Sequence, residues 1–161
     1  PVGNIVAGVP SGTGMIVMAN SDVYITGNRF ADNRTVDVML NAYTEPFTDE
    51  NYNPLLTDIT LSGNTYEGGL DDPQGMLAPV AAVLGGSLPS IVTDGVTRWN
   101  GGEDQAVNLV IAEAPEVGFL NLGLGEYPLD PSKLQPSMDR PAGTPVPERE
   151  AVVLPQDTKQ P

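Results

Sequence analysis

The chain has 161 residues, 40% apolar and 6% aromatic, and its 18 glycines and 16 prolines argue against a helical bundle and for short strands joined by turns. With 21 acidic residues against 7 basic ones the formal charge is -14, which disfavours nucleic acid and anionic membranes, since both recruit Lys and Arg to neutralise phosphate. The absence of Cys and His excludes disulfides, thiolate metal sites and His-dependent acid–base catalysis within the chain, and no apolar run approaches the ~18 residues of a membrane span.

The chain opens Pro1-Val2-Gly3, with neither Met nor a charged-then-apolar leader, which reads as a processed chain or a piece of a longer one. A strand is expected over residues 4–9. Ser11-Gly12-Thr13-Gly14 lacks the basic residue and the helix that a phosphate site would want, so it reads as a turn entering a strand. Met15, Val17 and Ala19 then alternate as one buried strand face, and Val36, Val38 and Leu40 do the same. On this alignment Ile16 and Asp37 share an outward position. Asn20 and Asn41 end the two runs, and their spacing of 41 − 20 = 21 residues suits one coil of a parallel β-helix.

A second pair of segments matches more closely. Residues 21–30 and 57–66 each begin with a hydroxyl residue and Asp, alternate through Val23 and Ile25 or Ile59 and Leu61, and reach Gly-Asn with an aromatic two residues later. Asn28 and Asn64 lie 64 − 28 = 36 apart, 15 more than the first spacing, and an inserted loop over about 43–56 accounts for the excess. In repeat folds such insertions emerge on one side, often the binding side. Stacked coils would place Asn20 over Asn41 and Asn28 over Asn64 as amide ladders, which also suits the left-handed turns that asparagine tolerates.

Later repeats are fainter. A strand is expected at residues 79–86, with a short helix over 76–84 disfavoured by Pro79. Further strands are expected within 91–99, 107–111 and 117–122, with Trp99 in the slot of Phe30 and Tyr66. After Leu122, eight prolines punctuate a polar stretch whose one compact apolar anchor is Val152-Val153-Leu154. The expected division is therefore 1–122 for the repeats and 123–161 for an extended Pro-rich tail lying along the repeats or a partner.

The units over residues 15–33 and 36–68 resemble the bacterial right-handed parallel β-helix repeat proteins related to the carbohydrate-binding and sugar-hydrolase β-helices. The resemblance is strongest over residues 12–68. It implies an all-β, right-handed parallel β-helix of which this chain is the C-terminal portion, and a periplasmic or extracellular location.

One such fold hosts many activities, so function must come from sites. Hydrolysis of a polysaccharide would need two facing carboxylates, and the candidates are Asp37 and Asp58, with Asp22, and the loop pair Asp71 and Asp72. Asp71-Asp72 resembles the paired aspartates of polygalacturonase-type β-helices, but their Gly-His-Gly and Arg-Ile-Lys segments are absent. Lyase chemistry would need a basic residue, and the repeats offer Arg29, Arg34 and Arg98, the first two on turns. No cofactor is expected. Calcium is the one metal the hard oxygen donors suit, with Asp49, Glu50, Asp71 and Asp72 as ligands. The expectation is a non-catalytic scaffold or binding subunit that packs against a missing N-terminal β-helix portion or another chain, with carbohydrate as a further ligand class. The alternatives are a polysaccharide-processing hydrolase or lyase on the outer face, and a surface-attachment spike.

Overall fold

The computed structural model describes residues 8–145, so most of the strand expected over 4–9, and Val152-Val153-Leu154, lie outside the described residues. The fold is all-β with little helix. Its strands are β1 (Thr13–Met18), β2 (Ser21–Thr26), β3 (Arg29–Ala31), β4 (Val36–Asn41), β5 (Thr57–Ser62), β6 (Thr65–Glu67), β7 (Ile91–Thr93), β8 (Val96–Trp99), β9 (Leu109–Ala112), β10 (Phe119–Asn121) and β11 (Gly125–Tyr127). One short helix, α1 (Ala78–Val83), precedes β7.

Strands adjacent in sequence do not pair with one another. The sheets run β1-β4-β7-β10, β2-β5-β9, β3-β6 and β11-β8, and every strand pair is parallel. Tight corners between successive strands produce this order. Ala19, Asp22, Gly27 and Asp32 all have positive φ, which turns the chain abruptly before it can form a hairpin.

Register stacks like on like. Met15 faces Val38, Val38 faces Ile91 and Ile91 faces Phe119. Val23, Ile59 and Leu109 form a second row, and Ile25, Leu61 and Ile111 a third. These rows enclose one core, in which Val38, Leu40, Ile59, Leu61 and Ile91 are fully buried. Each such side chain contributes about 1.5–3 kcal/mol of burial. A second core lies on the other side of β4 and β7, where Val36, Met39 and Val92 pack against Leu77, Ala81 and Leu88. β4 is therefore covered on both faces, which explains its near-continuous apolar run.

Three local expectations are corrected. The β1–β4 offset is 38 − 15 = 23 residues, not 21, so Asn41 pairs with Met18 rather than lying under Asn20, and Met39 rather than Asp37 shares the position of Ile16. Residues 78–83 are helical rather than extended, because Pro79 falls in the first turn, where its missing N–H and fixed φ are no obstacle. Trp99 does not join Phe30 and Tyr66, which stack on each other at 5.4 Å; it stacks on Tyr127 at 3.9 Å.

Order also continues past Leu122. β11 pairs with β8, a 3₁₀ turn spans Pro131–Lys133, and residues 135–144 return along β10 and β9 through two antiparallel bridges, Asn121 with Ser137 and Val110 with Ala142.

Candidate functional site

Most of the aspartates that looked catalytic in sequence hold backbone or neighbouring side chains. Asp37 is buried at 1% exposure rather than facing outward, and its Oδ1 accepts from Asn33 Nδ2 at 2.8 Å. Asp58 has φ 52° at the start of β5, and its Oδ1 accepts from Asn108 Nδ2 at 2.6 Å. Asp72 forms an ion pair with Arg34 and accepts from Gln74 Nε2 at 2.8 Å, while Asp71 is exposed beside it. Asp49 Oδ1 accepts from Asn51 N at 2.9 Å, which closes a turn, and Glu50 points to solvent. Among the described residues no group of three or more acidic side chains could hold a metal ion.

The asparagine positions behave unequally. Asn28 N and Nδ2 both donate to Asn64 Oδ1, at 2.8 and 3.0 Å. Asn64 N donates to Glu113 Oε2 at 3.1 Å, and Asn64 Nδ2 donates to Ile25 O at 2.7 Å and to Glu113 Oε1 at 2.6 Å. The ladder thus has a third rung, Glu113, which the sequence did not suggest. Its signal was available only through register: Leu61 pairs with Ile111 and Ser62 with Ala112, which puts Glu113 level with Gly63. Asn20 and Asn41 make no such contact. Asn20 Nδ2 donates to Met18 O at 2.9 Å, and Asn41 Oδ1 is buried without a hydrogen-bond partner among the described residues.

Glu113 also accepts from the Tyr66 hydroxyl at 3.1 Å. Burial first, and then the negative field and hydrogen bond of Glu113, push the Tyr66 hydroxyl well above its ordinary range, with Asp37 adding to the field. Tyr66 is consequently a neutral donor that ties β6 to the residue just after β9. Of these groups Glu113 is buried, Asn64 and Tyr66 are half-buried and Asn28 is exposed.

The 43–56 loop builds an aromatic group that the sequence left unassigned. Phe47 packs edge-on against Tyr52 at 4.9 Å, and Tyr43 against Tyr52 at 5.6 Å. Phe47 also meets Trp99 at 6.0 Å. Trp99 and Tyr127, with Leu124, pack against a small core of Ala42, Leu55 and Val96, which joins the insertion to β8 and β11.

A cleft of about 160 Å³ opens beside this loop, lined by Met18, Met39, Met76, Leu129, Glu45 and Asp94 among others. Asp94 is 5% exposed. Its carboxylate accepts from Ala42 N at 2.7 Å and Val96 N at 3.0 Å. Burial pushes the Asp94 carboxyl up to about 6, against the lowering effect of backbone N–H groups from Val96, Ala42 and Gly95. Gly95 is required at this corner. Its φ is 73°, and a Cβ there would lie 2.0 Å from Asn121 Oδ1.

The remaining distinctive surfaces are the ends of the sheets. β1, β2 and β3 are edge strands with no strand on their outer side among the described residues, whereas β9 and β10 are overlaid by residues 135–144. Among the described residues no helix is long and apolar enough to cross a membrane. No protein-family model, curated protein or solved structure matches the chain.

Proposed function

We propose that the chain forms coils of a right-handed parallel β-helix and serves as a non-catalytic scaffold or binding subunit, periplasmic or extracellular, whose β1–β2–β3 end stacks on another parallel β-coil. The parallel sheet orders support the coiled path, and the right hand is the one that parallel crossovers adopt. The carrying observation is the unlike finish of the two ends. Edge strands present rows of unpaired N–H and C=O groups, which proteins ordinarily cover or blunt. Here, among the described residues, β9 and β10 are covered and β1, β2 and β3 are not.

The fitting partner is a coil whose apolar rows continue Met15, Val17, Val23 and Ile25, since these side chains border the core at that end. The engagement of Asp37 by Asn33, Asp58 by Asn108 and Asp72 by Arg34 supports a binding role over hydrolysis, which needs a pair of carboxylates facing a substrate. Sedimentation velocity of the purified chain over a range of concentrations tests the reading. Association that Val23→Lys abolishes is expected, because an inward-pointing charge on an edge strand blocks pairing. Circular dichroism verifies that the variant is folded, and Met15→Lys serves as a second edge variant. A wild-type chain that stays monomeric at every concentration would overturn it.

A further inference from the structure

The cleft of about 160 Å³ opens at a corner of the fold, where Met18 ends β1, Asn41 ends β4 and Asp94 follows β7. Of the chain's 5 methionines, Met18, Met39 and Met76 line it. Met76 is 69% exposed and Leu129, also in the lining, is 40% exposed, so large apolar side chains stand open to solvent here. Thioether side chains are flexible and polarisable, which suits a surface that shapes itself to an apolar body. A cavity of about 150 Å³ holds a benzene ring, so the cleft admits a ligand of that size rather than a polymer.

Its charged lining is acidic. Glu45 and Asp94 contribute to it, and no Lys or Arg does among the described residues. Asp94 is buried, yet the groups that hydrogen-bond to its carboxylate are backbone N–H groups, those of Ala42 and Val96. None of the ion pairs among the described residues includes it. A buried carboxylate without a countercharge is costly, and burial accordingly raises this carboxyl to about 6. Its oxygens keep further lone-pair sites beyond the backbone contacts. Asn41, in the same lining, has a buried Oδ1 without a hydrogen-bond partner among the described residues. An ammonium supplies what both groups lack, a positive charge and several N–H donors. An anion would instead meet two carboxylates and the -14 charge of the chain.

We propose that this cleft binds a small organic cation, a primary amine on a benzene-sized apolar body, with the ammonium at Asp94 and Asn41 and the apolar body among Met18, Met39 and Met76. The site does not depend on the stacking role assigned above to the β1–β2–β3 end. Val23, on which the stacking test turns, is not in its lining.

Phenethylamine, phenethyl alcohol and phenylacetate share one ring and differ in charge, so they test the proposal. Each is titrated at neutral pH into the full chain carrying methyl-labelled methionine, and the methyl resonances are followed by NMR. Phenethylamine should shift Met18, Met39 and Met76 along one saturable curve and leave Met15 and Met138, which do not line the cleft, in place. The alcohol should bind about tenfold more weakly, which is the worth of one hydrogen bond to a charged group, and phenylacetate should not bind. Asp94→Asn should weaken the amine to the level of the alcohol and leave the alcohol unchanged. Should Asp94→Asn lose its far-UV signal, Met76→Lys replaces it, since a fixed ammonium at that exposed position should weaken the amine far more than the alcohol. Equal binding of amine and alcohol would overturn the proposal. So would shifts spread over Met15 and Met138, an amine affinity indifferent to these variants, or no saturable shift at all.

Discussion

At Asp58 the backbone is left-handed, and it is so again at Asp22 with φ 57° and Asn108 with φ 44°. Register places Asp22 level with Asp58, and Asp58 level with Asn108, at the entry to β2, β5 and β9. Asp and Asn are the non-glycine residues that best tolerate this conformation, so a backbone requirement explains aspartates that otherwise suggest catalysis. Asp94 differs, being a buried carboxylate that ties Ala42 to Val96. Its carboxyl titrates at about 6 when folded against 3.8 for the free group. The folded state therefore holds the proton more tightly than the unfolded state. The associated stability is full below pH 3.8 and is lost as pH rises through 6. Relative to Asp94→Asn, which cannot ionise, wild type should lose roughly 3 kcal/mol across that window, since each tenfold difference in proton affinity is worth about 1.4 kcal/mol. Urea denaturation of both proteins at several pH values measures the difference, and a gap that does not vary with pH would defeat the assignment.

Among the elements, the segments legible in sequence were those whose local pattern and long-range register agree. Val23, Ile25, Ile59 and Leu61 alternate cleanly, and β2 pairs with β5 at the offset of 36 that the Gly-Asn spacing gives. The β1–β4 register was not legible. Both runs alternate, so a slip of two residues keeps every side chain on its face, and the pattern alone does not choose the observed 23 over 21. Glu113 escaped notice because a carboxylate replaces the amide as the third rung. The aromatic loop escaped because Trp99 and Tyr127 come from strands far along the chain. The two asparagine pairs should separate experimentally. Asn64→Ala removes the acceptor of two Asn28 donors and two donors of its own, and should cost about 2–3 kcal/mol. Asn20→Ala removes one exposed bond to Met18 and should stay within about 0.5 kcal/mol. Equal shifts in the denaturation midpoint would remove the ladder from the account of stability.

For the whole molecule, the dominant electrostatic fact is excess negative charge with few partners. Of 7 basic residues, Arg29 pairs with Glu67, Arg34 with Asp72, and Arg98 with Glu126 at 3.5 Å, all in substantial contact with solvent. Exposed pairs of this kind contribute little, so screening them away costs little. The repulsion among the remaining carboxylates acts over the whole compact state, and the unfolded chain relieves it by expanding. Salt should therefore stabilise the fold. Raising NaCl from about 0.02 M to about 0.5 M brings the screening length well below 10 Å, and the melting temperature should rise by several degrees. Stacking at the open end would also respond to salt, so the measurement belongs on Val23→Lys at low protein concentration, where association is blocked. A melting temperature that falls with salt would mean that the ion pairs outweigh the repulsion. In that case the acidic surface would be a structural network rather than a uniform repulsive field.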